Sequence, residues 1–170
     1  MVNHSISLEH SQPQTTTDNG PALLPAQILR NDADALEAAQ ALAASARTHA
    51  AKRDQQRELP WQLIEQFTAS GLGSITVPRA FGGPDVSFVT LAEVFRLISA
   101  ADPALGQIPQ NHFGILQMLR GTATEAQQHA LFTAVLEGAR IGNGGPERGA
   151  RNTLEINTRI VRDGDGERIS

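Results

Sequence analysis

"RELPWQLIEQFTASGLGSITVPRAFGGPDVSFVTLAEVFRLISAADPALG", Arg57–Gly106, decides the fold. It holds two helical patterns joined by a turn-rich connector. The first opens at Pro60, whose fixed φ suits the first helical position, and closes at Gly71, a C-terminal cap. Trp61, Ile64 and Phe67 recur at every third residue and predict an apolar stripe. "SITVP", Ser74–Pro78, is too short for a helix and β-branched, so an extended connector is expected. "GGPDVSF" is turn chemistry. In the second pattern Phe88, Leu91, Phe95 and Ile98 repeat at helical spacing and predict the buried face. Asp85 or Ser87 can cap this helix, and Pro103 is expected to close it.

Helical signals continue on both sides. Asn31 can cap a long helix through "DADALEAAQALAASARTHAAKRD", with Asp32 and Asp34 at the favourable pole of its dipole. Leu36, Ala39, Ala43, Ala46 and Ala50 mark a narrow apolar face. Downstream, Pro109–Arg120 reads as a helix carrying Phe113, Leu116 and Leu119 and ending at Gly121. Thr124 and Gln127 form a capping box for the next helix. Leu131, Phe132, Val135 and Leu136 are its expected buried side, and Gly138 its stop.

After Gly138 the period changes. In "TLEINTRIV", Leu154, Ile156 and Ile160 point one way and the polar residues the other, which predicts a half-buried strand. "DGDG", Asp163–Gly166, signals a hairpin turn. Only four residues follow the turn, so the returning strand cannot match the nine before it. A β unit is expected to be begun and not completed. The fold class read from these patterns is mainly α. Residues 1–25 are expected to be a disordered tail, 26–138 an all-helical domain, and 139–170 the start of a β domain.

Bulk composition narrows function. The 18 acidic residues against 14 basic ones give a net charge of −4, which speaks against a nucleic-acid binder. No apolar run approaches the ~18 residues of a membrane span, and the polar N-terminus is not a signal peptide. With no cysteine, neither a disulfide nor a thiolate metal site is available, and a cytoplasmic location is expected. The scattered histidines form no metal-ligand pair. His112, within "IPQNHFGIL", reads on spacing alone as a satisfied helix histidine. The carboxylates Glu58, Glu65 and Glu93 read as solvated helix faces.

"RIGNGGPERGAR", Arg140–Arg151, invites a phosphate-loop reading through its glycines and arginines. It lacks the Gly-Lys-Ser/Thr of a nucleotide loop. It begins the dinucleotide pattern with Gly142 and Gly144 but has Glu147 at the third glycine position, and it runs from helix to strand.

The stretch Arg57–Gly106 resembles the N-terminal helical domain of the acyl-CoA dehydrogenase superfamily. Glu58 and Pro60 precede a helix; Gly71-Leu72 leads through Val77-Pro78 to Phe81-Gly82-Gly83; a further helix ends in Ala101-Asp102-Pro103. "GTATEAQQHALFTAVLEGARIGN" resembles the helix that leads into the middle β domain, and "TRIVRDGDGERIS" the first hairpin of that domain. "LPW", "SAADPALGQIPQNHF" and "RDGDG" resemble most closely the sulfur-acquisition oxidoreductases and flavin-dependent sulfur-compound monooxygenases.

The resemblance implies a flavin cofactor, FMN or FAD, and a small organosulfur or acyl substrate. Relatives are longer and usually assemble as homo-oligomers, and their decisive catalytic groups lie largely in a C-terminal bundle. No catalytic residue is therefore expected within this chain, and the chain alone is expected to be inactive. The resemblance puts a flavin edge at Asn143, Gly145, Pro146, Glu147 and Asn152, and a substrate pocket at His112 and Phe113. Pro146 stands where relatives use a hydroxyl residue with a free amide. Proline offers neither donor, so weaker cofactor binding is expected. The alternative is a helical interaction module without chemistry, which associates with another subunit.

Overall fold

The computed structural model describes residues 26–142, 147, 149–152, 154–164 and 166–169. The expected tail, residues 1–25, lies outside them. Seven α-helices and one antiparallel strand pair are described, in the order α1 Asp32–Arg47, α2 Ala50–Gln56, α3 Trp61–Ala69, α4 Phe88–Ala101, α5 Pro103–Gln107, α6 Gln110–Thr122, α7 Glu125–Leu136, β1 Ile160–Asp163 and β2 Gly166–Ile169. The mainly helical class read from the sequence holds.

α1 begins where its cap predicts: Asn31 Oδ1 accepts from the Asp34 amide at 3.0 Å. The buried face is Ala35, Ala39, Leu42, Ala43 and Ala46, so Leu36 moves to the flank. The single long helix expected through Asp54 breaks at Thr48–His49 into α1 and α2. The break lets Arg53 fold back: its guanidinium donates to the Ala46 carbonyl at 2.6 Å, satisfying one of the acceptors that a helix end leaves open. The same guanidinium pairs with Asp102 at 2.7 Å.

α4 lies alongside α1 and parallel to it, because both pairs of matching ends are tied. At the N-termini, Asp32 accepts from Thr90 Oγ1 at 2.6 Å and Ser87 Oγ at 3.0 Å. At the other end stands Arg53–Asp102. The expected Phe88–Leu91–Phe95–Ile98 face is corrected. α4 buries Thr90, Val94, Ile98 and Ala101, while Phe88 is exposed and Leu91 and Phe95 flank the core. A face of smaller side chains fits closely on the alanines of α1. Ser87 is the cap, accepting from the Thr90 amide at 3.1 Å. Asp85 instead adopts a left-handed φ of 51° and pairs with Arg120 at 2.8 Å. α4 closes ahead of Pro103 as expected, ending at Ala101 with Asp102 extended, and Pro103 also opens α5, with Asp102 Oδ1 accepting from the Ala104 and Leu105 amides at 3.0 and 3.2 Å.

The "SITVP" connector is not extended. After the left-handed Gly71, a 3-10 turn spans Leu72–Ser74, and Val77 donates back to the Ser74 carbonyl at 2.9 Å. Leu72, Ile75 and Val77 are fully buried. The β-branched Ile75 and Val77 serve the core rather than a pleated strand. α6 and α7 follow the prediction closely, and the Thr124–Gln127 capping box is formed. α7 buries Phe132 and Val135, while Leu131 is exposed.

The nine-residue strand expected over Thr153–Val161 is corrected to the four residues of β1, which pair with β2 from Ile160↔Ile169 to Asp163↔Gly166. The turn falls at "DGDG" as predicted. Leu154, Ile156 and Ile160 are 89%, 70% and 70% exposed. An extended segment becomes a strand only by pairing, and β2 offers four partners. The amides of Asn157 and Thr158 are instead taken by the Glu147 carboxylate at 2.6 and 2.8 Å.

Candidate functional site

α6 carries His112 into the interior, where it is 3% exposed. Its Nε2 lies 2.7 Å from the Gly73 carbonyl. Its Nδ1 accepts from the Ile141 amide at 3.1 Å. A backbone amide can only donate, so Nδ1 is unprotonated and the proton resides on Nε2, donated to Gly73. Burial pushes the His112 pKa below its usual 6.5, and the bond to the Gly73 carbonyl opposes that shift. The imidazole is thereby neutral and of fixed tautomer, and both nitrogens are occupied.

Above His112 opens a groove of about 430 Å³. One wall is the start of α3, with Leu59, Pro60 and Trp61 at the mouth and Ile64 and Phe67 deeper. A second wall is Ile108 and Pro109, ahead of α6. The third is the strap Arg140–Gly142, the segment that leaves the helical body. Leu59, Trp61 and Ile108 are 63%, 67% and 50% exposed, giving the mouth an apolar rim. Trp61 was expected inside, with Ile64 and Phe67. Only those two are buried; Trp61, in the first turn of α3, faces the groove mouth.

Arg140 holds the strap to α3. It donates to Thr68 Oγ1 at 2.9 Å and to the Ile64 carbonyl at 3.3 Å, and pairs with Glu65 at 3.2 Å. Its charge is satisfied where it stands, so the groove presents apolar surface with no free cation among its described lining. Glu65, expected as a solvated carboxylate, is the acidic partner of this strap.

The other residues singled out in the sequence are dispersed. Phe113 lies in the core, edge-to-face with Phe67 and Phe95 at centroid distances of 6.4 and 5.6 Å. Asn143, Gly145 and Pro146 lie outside the described residues. The Glu147 carboxylate, in accepting from Asn157 and Thr158, is held below the usual carboxylate range, the Thr158 bond leading. Asn152 Oδ1 accepts from the Leu154 and Glu155 amides at 2.9 and 3.1 Å, a local turn of its own. A flavin ring edge is rich in acceptors and needs donors. Among the described residues of this edge, Glu147 presents only acceptors and both polar groups are engaged within their own segment.

Comparison with known proteins assigns the class. Residues 32–139 match the family model "Acyl-CoA dehydrogenase, N-terminal domain". The chain belongs to that family. Dibenzothiophene monooxygenase from Rhodococcus erythropolis is 30% identical over 129 residues, covering 76% of this chain and 28% of that enzyme. 3-Sulfinopropanoyl-CoA desulfinase from Paraburkholderia xenovorans (strain LB400) is 27% identical over 125 residues, 72% of this chain and 32% of that enzyme. Among solved structures, FMN-bound TdsC from Paenibacillus sp. A11-2 superposes with a TM-score of 0.69 at 26% identity, over 79% of this chain and 34% of that one. The chain thus spans about a third of the length of these relatives.

Sequence reasoning singled out His112 and missed the strap. Arg140 and Ile141 stood at the edge of a glycine-rich loop, and only their contacts with α3 and α6 reveal a wall. The signal that could have found the groove was the apolar "LPW" immediately at the start of a helix.

Proposed function

We propose that this chain is the N-terminal helical part of a flavin-dependent oxidoreductase acting on small organosulfur compounds, with the groove over His112 contributing to its substrate pocket. The observation that carries the reading is an apolar groove floored by a neutral histidine, built at the strap by which the chain leaves the family's helical domain near Gly138. Support comes from the dibenzothiophene monooxygenases and from a solved relative that is FMN-bound. The cofactor would be FMN, with FAD the alternative, along an edge comprising Asn143, Gly145, Pro146, Glu147 and Asn152. Pro146 and the self-bonded Glu147 argue that this chain alone holds flavin poorly and is catalytically silent. A homo-oligomer and a cytoplasmic setting accompany the reading by likeness to the family.

Of the two substrate classes among the relatives, the groove favours the neutral one. A sulfinate or acyl-CoA thioester brings negative charge, and the one cation among the described lining residues, Arg140, is already paired with Glu65. Desolvating an anion against apolar walls without a partner is costly. The chain's single tryptophan, Trp61, reports on the groove directly. Titration with dibenzothiophene is expected to quench its fluorescence saturably, and 3-sulfinopropionate to leave it unchanged. The opposite order, or no saturable change with either, would sink the reading. A purified sample that is yellow, or consumes oxygen with reduced flavin, would overturn the silence of the chain.

The exposed Phe88 and Val89 at the start of α4, 68% and 80% accessible, favour a second reading as a helical module that associates with another subunit. A monodisperse monomer across a hundredfold concentration range would count against it.

A further inference from the structure

We propose that His112 is a proton-operated latch: its neutral form pins Ile141 and closes the third wall of the groove, and proton uptake at Nδ1 releases Ile141 and Gly142 while Arg140 stays attached to α3. As regulation of the groove, this rests on the reading of the groove as a ligand site; the latch itself is read with no ligand present, so the two can fail separately.

The geometry requires the switch. The Ile141 amide can only donate, and the atom receiving it is the ring nitrogen that an imidazolium would protonate. Protonation sets N–H against N–H across that 3.1 Å contact. The other nitrogen is unaffected, because Nε2 donates to the Gly73 carbonyl in both states. The histidine therefore keeps its seat and lets go of the strap. Replacing the lost acceptor would require a movement of the strap toward solvent.

Among the described residues, no acidic group is in contact with the ring to hold the imidazolium in place. Facing His112 are the Gly73 carbonyl from the turn after α3, Phe67 from α3, Phe113 from α6 itself and the strap. The charged groups at the groove are Arg140, on the strap, and its partner Glu65, on α3. Arg140 is a second attachment, independent of His112, through Thr68 and Ile64. It would keep the strap tethered at one residue while Ile141 and Gly142 swing from the wall. Burial already disfavours the charged ring, so the latch stays shut at neutral pH and opens on the acid side.

The test is a pH titration of the uniformly ¹⁵N-labelled 170-residue chain from pH 8 to pH 5. The ring ¹⁵N shifts of His112 report tautomer and protonation, and the Ile141 amide reports the latch by its hydrogen-exchange protection factor. The expected result is an Nε2–H imidazole at pH 7.5. Its titration should lower Ile141 protection about tenfold, the loss of one hydrogen bond, while amides inside α1 and α4 keep theirs. His112→Asn, whose side-chain oxygen can accept from Ile141 without titrating, should make Ile141 protection independent of pH over this range. An Nδ1–H tautomer, unchanged Ile141 protection through the titration, or simultaneous loss in α1 and α4 overturns the latch. If the asparagine variant does not fold, the wild-type titration decides alone.

Discussion

Ile141 donates its backbone amide to Nδ1 of His112 at 3.1 Å, across 29 residues of sequence. That bond, with His112 to Gly73 on the other ring nitrogen, joins the turn after α3, helix α6 and the strap into one unit. With Arg140 holding the strap to α3, this side chain sets how the strap closes the groove.

Removing that side chain leaves two backbone groups without partners. His112→Leu is expected to cost about 2–5 kcal/mol, from an unpaired Gly73 carbonyl and an unpaired Ile141 amide. Chemical denaturation at pH 8 measures it; a loss under ~1 kcal/mol would mean that water replaces the ring. The pH dependence has a definite sign. Folding lowers the His112 pKa from 6.5, so the unfolded chain binds the proton more readily. This contribution to stability is complete above pH 6.5 and is lost as pH falls below it through the folded value. In the leucine variant that part of the pH slope should vanish.

Arg53 and Asp102 form an ion pair whose side chains are only 13% and 7% exposed. Asp102→Ala removes the partner of a largely buried guanidinium and also the cap of α5, and is expected to cost about 3–5 kcal/mol. Asp102→Asn keeps one oxygen, which can cap α5 in place of Oδ1 but leaves an amide NH2 facing Arg53 in place of Oδ2, so it should cost less than alanine only by the cap. Equal losses in the two variants, compared by urea midpoints, would show that the charge rather than the cap dominates.

Arg57 ends α2 in a left-handed conformation at φ 52°, which disfavours any residue with a Cβ. Its side chain is exposed. Arg57→Gly is expected to raise stability by up to about 1 kcal/mol, seen as a higher midpoint of thermal or urea unfolding. Gly71 is the reverse case. Its φ is +78°, and an added Cβ would run into the Gln27 carbonyl. Gly71→Ala should unfold or displace the segment around Gln27, read as loss of the amide protection that Gln27 gains from the Ala69 carbonyl at 2.8 Å.

Trp61 stands 67% exposed at the groove mouth. Trp61→Ala is expected to change stability by no more than about 0.5 kcal/mol while weakening dibenzothiophene binding at least fivefold by calorimetry. A large stability loss with unchanged binding would move Trp61 from the groove to the core.

Local chemistry was legible because it depends on near neighbours. The Asn31 cap, the Thr124–Gln127 box, the Gly138 stop and the "DGDG" hairpin turn are decided within four residues, and all four formed as read. Periodicity was less reliable wherever two faces competed. In α4 the phenylalanine stripe is the stronger pattern, yet the smaller Thr90–Val94–Ile98 stripe was buried, because the alanine face of α1 sets how closely the helices approach. "SITVP" carried strand-like residues that the core claimed for turns. "TLEINTRIV" carried a strand pattern, but its Asn157 and Thr158 amides are taken by the Glu147 carboxylate.

What the sequence determined by itself was the helical class, the caps and stops of its elements, and a histidine in an apolar setting. Whether that histidine was free or satisfied, and what it held, required atoms from the turn after α3 and from the strap. Arg140 and Ile141 became a wall only when Thr68, Glu65 and His112 came within hydrogen-bonding reach. Caps are contacts between residues a few positions apart, fixed by backbone geometry. The groove is made by contacts over 29 to 76 positions, and packing in three dimensions alone brings those together.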